Sequence, residues 1–249
     1  MAQIGGSVLR GVADALFPPV CMVCAAPVAD ARTLCTPCWG AAHLIGGTVC
    51  DGCGTPMPLS LGRGESIHCD TCRAGGTPWD RGRAAAYYAE SARALVLALK
   101  HGDRPDIARA LGHWMTRAAA DLLPETDAIV PIPLHWRRFM SRRYNQSAEL
   151  SRAMARESGV LHAPDMLRRM RPTEMQRARS AAARARNVEG VFAVPPHMHR
   201  AVQGQRILLV DDVLTTGATL SDATRALRAV GASQVNVVVF ARVEANRDR

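Results

Sequence analysis

Thirteen consecutive residues, Ile207 to Thr219, constrain this chain more than any other stretch: Ile-Leu-Leu-Val-Asp-Asp-Val-Leu-Thr-Thr-Gly-Ala-Thr. The continuous apolar run Ile207–Val210 is the pattern of a strand buried on both faces of a parallel sheet. Asp211 and Asp212 stand where such a strand would end, and Thr215, Thr216, Gly217, Ala218 and Thr219 form a small polar loop. From Leu220 to Val230 apolar residues recur at helical spacing, and Gly231 is the natural stop. Strand, acidic pair, loop and helix in that order place a ligand at the carboxyl end of an open α/β sheet. The loop offers backbone N–H groups, hydroxyls and the positive end of a helix dipole, which suit a phosphate. Carboxylates cannot bind that phosphate, but they suit sugar hydroxyls or a metal beside it, so the two features together describe a ribose phosphate. The plainer alternative, an α/β turn with a capping threonine, accounts for the glycine and not for the acids.

A chain of 249 residues has room for one large domain, or for a main domain and a small one. Hydrophobic residues make up 48%, enough for a core and too many for a disordered chain. Residues 1–20 lean apolar, but Arg10 and Asp14 interrupt them and no basic stretch precedes, so a secretory signal is not expected. No run reaches membrane-spanning length, and a cytoplasmic protein without membrane insertion is the expectation. The formal net charge of +9 is local. Residues 1–80 hold four arginines against six Asp/Glu, a net of −2, whereas residues 137–186 hold thirteen arginines against four Asp/Glu, a net of +9. Lys100, in Leu-Lys-His-Gly, is the only lysine, and without a Gly-Lys-Ser/Thr a P-loop nucleotide hydrolase is excluded.

All eight cysteines fall in four Cys-x-x-Cys pairs: Cys21/Cys24, Cys35/Cys38, Cys50/Cys53 and Cys69/Cys72. Each pair can place two thiolates on one metal from a tight turn, and two pairs complete a tetrahedral site. The segment is short and poor in periodic hydrophobics, so a structural metal is the obvious substitute for a core. Disulfides are disfavoured in a cytosolic protein, and a thioredoxin-like redox pair needs one motif in a βαβ pattern rather than four in tandem. Two structural zinc ions are expected, with sequential pairing: Cys21, Cys24, Cys35 and Cys38 for one, and Cys50, Cys53, Cys69 and Cys72 for the other. Interleaved pairing and a single retained metal stay open. Phosphate-backbone binding needs clustered Lys/Arg, which this acidic segment lacks, so the ribbons read as structural or protein-binding.

Between the cysteines and the motif, Gly75–Gly82 reads as a linker carrying Pro78 and Trp79, Arg83–Tyr88 as a strand, and Ser91–Lys100 as a short helix. Ile107–Leu123 is an Ala/Leu-rich helix closed by Pro124. Asp127–Pro133 is a strand running into a loop, where Pro131 and Pro133 flank Ile132. These prolines remove two N–H donors and fix φ, which suits a rigid bend beside a ligand. Ser147–Glu157 is an amphipathic helix with Asn145 or Ser147 as its cap. Residues 164–186 are dense in arginine without a clean apolar stripe and read as a mobile basic loop. Val188–Val194 and Gln234–Ala241 read as strands.

At this point the chain resembles known proteins. All thirteen positions of Ile207–Thr219 match the phosphoribosyl-pyrophosphate (PRPP) motif of type I phosphoribosyltransferases. With the paired four-cysteine ribbons, Leu-Lys-His-Gly, Val-Pro-Ile-Pro-Leu-His, Arg-x-x-Asn-Gln and Thr-x-x-Gln…Arg-x-x-Asn-Val, the whole chain from about residue 15 to 243 resembles the ComF family. It departs from that family's usual pattern at His101, Arg143, Tyr144 and Arg179. The resemblance implies an α/β fold: a type I phosphoribosyltransferase-like parallel sheet with flanking helices over 83–245, preceded by a double zinc ribbon over 21–75 and a helical segment over 1–20. It implies that Asp211 and Asp212 hold ribose hydroxyls and that Thr215–Thr219 cradle the 5′-phosphate. Pro131–Pro133 resembles the pyrophosphate loop, with Mg²⁺ carried chiefly by PRPP. Arg171 and Arg184 are candidates to close over the leaving group. Transfer to an unidentified acceptor, PRPP sensing without turnover, and a role in natural transformation with single-stranded DNA or other competence proteins are the three functions it leaves open.

Overall fold

The computed structural model describes residues 18–58, 66–101, 104–134, 144–170 and 190–244. The helical segment expected over 1–20 lies almost entirely outside these. In chain order the elements are α1 (Thr36–Gly40), α2 (Asp70–Gly75), β1 (Gly82–Tyr87), α3 (Glu90–His101), α4 (Ala108–Ala118), β2 (Ala128–Pro131) and α5 (Gln146–Ser158). They continue with β3 (Leu161–His162), β4 (Arg168–Arg169), β5 (Phe192–Ala193), α6 (His199–Val202), β6 (Arg206–Leu214), α7 (Ala218–Ala229) and β7 (Gln234–Arg242). Five strands form one parallel sheet in the order β1-β7-β6-β2-β3, while β4 and β5 pair antiparallel beside it. Among the described residues no helix is long and apolar enough to cross a membrane.

Both faces of the sheet are covered, which is why β6 and β7 read as apolar runs rather than alternating ones. Leu208 and Val210 of β6 join Val238 and Phe240 of β7 in a core with Leu95, Leu111 and Leu150 from α3, α4 and α5. Their neighbours Ile207, Leu209, Val237 and Val239 face the other way, against Leu220, Ala223 and Leu227 of α7.

From β2 the chain crosses through α5 to β3 on one side, and from β6 it crosses through α7 to β7 on the other. The order therefore reverses between β2 and β6, and a crevice opens beyond the carboxyl ends of those two strands. There the strand expected to stop at Val210 runs on to Leu214. Its pairing with β2 ends at Pro131↔Val210, but pairing with β7 continues to Leu214↔Arg242. The acidic pair consequently lies on a strand held from one side only, with its other edge open to the crevice.

The arginine-dense segment is not wholly a loop: Arg168 and Arg169 pair with Ala193 and Phe192, so the expected strand over 188–194 is, among the described residues, this two-residue ladder. The span between these two strands, 171–189, is outside the described residues.

The cysteine-rich segment is an internal duplication. Val20 bridges Pro27 and Val49 bridges Pro56, in each case around a knuckle in which the first cysteine's N–H donates 2.7 Å to a carbonyl five residues on (Ala26, Thr55). Each knuckle is completed by a short helix that starts just after a cysteine, α1 after Cys35 and α2 after Cys69. The two units straddle the edge of the sheet: Cys21, Met22 and Leu34 join the core under α3–α5, whereas Trp79, following the second unit, joins the core under α7. Between them His43–Ile45 runs antiparallel to β1, with Ile45 N donating to Ala85 O (2.9 Å) and Tyr87 N to His43 O (3.0 Å).

Candidate functional site

Three elements converge on the crevice. Asp211 is half-buried on β6, where its Oδ1 accepts from Ser147 Oγ and from the Asp212 N–H, both at 2.9 Å. Burial, with the neighbouring Asp212 carboxylate second, pushes the Asp211 carboxyl up to about 7. Asp212 Oδ2 meets Lys100 Nζ at 2.9 Å, an ion pair with only 12% of the carboxylate side chain exposed. The chain's single lysine thus stands at the acidic pair, where it offsets part of the charge of two adjacent carboxylates.

The start of α5 fastens these parts together. Asn145 is its cap, accepting from Ser147 N through Oδ1 (3.1 Å), while its Nδ2 donates to Ile132 O (3.0 Å) in the loop after β2. Ser147, the other candidate cap, instead spends its hydroxyl on Asp211. Tyr144 donates its hydroxyl to Leu99 O, next to Lys100. Tyr144, Asn145 and Ser147 therefore tie α3, the loop after β2 and β6 to one helix terminus.

Pro131, Ile132 and Pro133 lie on the β2 side. The prolines have no N–H, and the Ile132 N–H donates to Val210 O (2.9 Å), so these three residues present a rigid wall and no backbone donor. On the other side, Thr215 and Thr216 are exposed and Gly217 opens α7. Gly217 adopts φ +77°, and a Cβ there would lie 2.9 Å from Trp79 Cη2, so glycine is required twice over. No side chain caps α7, which leaves the N–H groups of its first turn, Ala218 and Thr219 included, turned toward the loop. A helix N-terminus in that state is suited to phosphate. Arg171 and Arg184 lie outside the described residues.

The cysteines gather as two tetrads, Cys21/Cys24/Cys35/Cys38 and Cys50/Cys53/Cys69/Cys72, with the sulfurs of each within 4.8 Å of one another. Four thiolates at roughly 2.3 Å from a zinc ion form a tetrahedron with edges of about 3.8 Å. The Cys24–Cys35 and Cys53–Cys69 sulfur separations, 3.5 and 3.7 Å, match it. The donor set therefore fits two structural zinc ions. In the second tetrad a hydrogen bond from the Cys50 thiol, working against burial and aided by Thr55 and Arg242, draws Cys53 down to about 3.

Sequence reasoning missed Lys100, Ser147 and Trp79 as parts of the site. A lone lysine among 31 basic residues was a signal for the first. Trp79, read as part of a linker, is 6% exposed and donates Nε1 to Gly52 O at 2.6 Å; no local pattern announces that contact.

Sheet order, crevice and motif define a phosphoribosyltransferase-type α/β protein fronted by two cysteine ribbons. Comparisons agree: the double zinc ribbon domain family matches residues 12–80 and the phosphoribosyl transferase domain family residues 156–249. The DNA utilization protein YhgH of Escherichia coli is 31% identical over 233 residues, spanning 90% of this chain and 97% of that one. Competence protein F of Haemophilus influenzae is 29% identical over 223 residues, spanning 84% and 96%. The chain belongs to the ComF family. Among solved structures, the glutamine PRPP amidotransferase of B. subtilis is similar at 21% identity and a TM-score of 0.40, covering 58% of this chain and 30% of that one.

Proposed function

We propose that this protein binds PRPP in the crevice between β2 and β6 and transfers its ribose 5-phosphate group, with release of pyrophosphate, to an acceptor. The observation that carries the reading is the acidic pair on the unpaired edge of β6, with Asp212 six residues ahead of the first residue of a helix whose N-terminus no side chain caps. Thr215–Thr219 would take the 5′-phosphate, and Asp211 and Asp212 the ribose hydroxyls. Pro131–Pro133 would shape the pyrophosphate side. The acceptor's nucleophile bonds to C1 as the C1–O bond breaks, and both electrons of that bond leave with pyrophosphate. Catalysis of this kind is chiefly positioning and charge stabilisation. Mg²⁺, carried in with PRPP rather than held by a dedicated protein site, would offset the leaving group's charge. Lys100 adds a fixed positive charge beside the carboxylates.

The test is calorimetric titration of Mg²⁺ and PRPP into zinc-loaded protein, followed by pyrophosphate release with candidate acceptors. Asp211→Asn with Asp212→Asn should abolish binding and leave two zinc equivalents in place; unchanged affinity would remove the basis of the assignment.

A second reading follows the relatives' names, competence protein and DNA utilization protein, and gives this chain a role with single-stranded DNA. It is favoured by a groove of about 700 Å³ between α4 and α5, where Arg32, Arg109, Arg152 and Arg156 outnumber Glu149 and Glu157, the first of which pairs with Arg152. DNA binding there should fall steeply with salt and be indifferent to PRPP; mutual exclusion would move the DNA to the crevice.

A further inference from the structure

Two adjacent carbonyls of one cysteine knuckle hold the two ends of the phosphate loop. The knuckle is Cys50–Cys53 of the second tetrad. Gly52 O accepts from Trp79 Nε1 at 2.6 Å, and the far edge of the same indole lies against Gly217, which closes the loop. Cys53 O accepts from Arg242 Nη1 at 2.6 Å. Arg242 stands directly across the ladder from Leu214, which opens the loop, and the Leu214 carbonyl accepts from the Val243 N–H at 2.9 Å. Both side chains are nearly buried, Trp79 at 6% and Arg242 at 7% exposure.

The knuckle has little freedom of its own. A Cβ on Gly52 would meet Cys72 Sγ at 2.9 Å, so the residue whose carbonyl receives Trp79 is packed directly against the other arm of the tetrad. Asp51 is held from the other side by Arg83 Nη2 at 2.8 Å. The first tetrad differs: Trp79 and Arg242 donate to the second knuckle and not to the first, and Cys21 packs under the opposite face of the sheet.

We propose that the second cysteine tetrad is a positioning element of the phosphate loop, acting through Trp79 and Arg242, so that zinc there and phosphate ligand at Thr215–Thr219 reinforce one another. The first tetrad carries no such coupling. This rests on the reading that the loop binds the 5′-phosphate of PRPP. A metal-organised knuckle sets Gly52 O and Cys53 O; those set the indole and the guanidinium; and these hold the loop in the shape a phosphate needs. Because the coupling is a free energy between two equilibria, it is reciprocal: bound ligand must tighten the second zinc by the factor that this zinc tightens the ligand.

The test uses full-length, zinc-loaded protein and a chelator competing for zinc at equilibrium, with and without saturating Mg²⁺ and PRPP. PRPP should make one of the two zinc equivalents about tenfold harder to extract and leave the other unchanged, a factor inside the roughly 5–150-fold range of such couplings. Trp79→Phe, which removes the N–H and keeps most of the ring, and Arg242→Lys should each lose that protection and bind PRPP about tenfold more weakly, with two zinc equivalents retained. Equal protection of both zincs, or of neither, with wild-type binding intact overturns the coupling alone. Failure of the wild-type protein to bind PRPP overturns the site reading, and this inference with it.

Discussion

Replacing Asp211 by asparagine should make the unliganded protein more stable, by a margin that widens with pH. Burial and the adjacent Asp212 raise this carboxyl from 3.8 to about 7, whereas the unfolded chain restores it to the ordinary value. Between the two values the folded protein holds a proton that the unfolded chain has released. Stability therefore falls as pH rises through that window and levels off above the folded value. For 3.8 and about 7, the loss accumulated between pH 6 and pH 8.5 is roughly 1–2 kcal/mol. The asparagine Oδ1 can keep both hydrogen bonds, from Ser147 and from the Asp212 N–H, but carries no charge, so its curve lacks this slope. Urea denaturation of both proteins at pH 6, 7 and 8.5, zinc-loaded and without ligand, reads the difference directly. A gap between variant and wild type that stays constant across this range would refute the assignment of a strained, high-pKa carboxylate. The same proton predicts that wild-type affinity for PRPP rises with pH up to about 7, if the ionised form receives the ribose hydroxyls.

Two further substitutions probe the loop and its cation. Gly217→Ala forces a Cβ into a left-handed residue against the Trp79 ring and should cost roughly 1–3 kcal/mol of stability, with weaker PRPP binding; an unchanged melting temperature and affinity would contradict the close packing. Lys100→Met strands the Asp212 carboxylate and should destabilise the protein by roughly 1–3 kcal/mol at neutral pH. Adding Asp212→Asn should restore part of it in a double-mutant cycle, and strict additivity would show that the pair contributes nothing.

Much of this fold was legible because its signals are local. The run Ile207–Val210, the helix that follows Gly217 and the four Cys-x-x-Cys pairs each carry their own period or spacing. Where β6 ends was not legible, because a strand continues for as long as a neighbour pairs with it, and β7 outlasts β2 by four residues. The two-residue strands β3 and β4 are shorter than any period that could reveal them. At the site, the two acids and the Thr/Gly loop stand next to each other in the chain and could be read together. Ser147 and Lys100 reach the same carboxylates from 64 and 112 positions away, as the numbering of each pair gives. Only the crossing of α5 and α3 over the sheet brings them there. Trp79 was misread because a Gly/Pro-flanked tryptophan looks like linker until the knuckle that receives its N–H is placed beside it.

The antiparallel cap on β1 bears on how the chain is made. Gly82 pairs with Val237, so β1 waits for a partner 155 residues further along. A strand left open for that long during synthesis is a template for association with other chains. His43–Ile45, which covers its outer edge, precedes it in the chain and has already left the ribosome when β1 emerges. Once the cysteine ribbons take up metal, that cap is in place on one side before the sheet exists on the other. The amino-terminal module thus closes one edge of β1 from the outset and leaves a single open edge for β7 to pair.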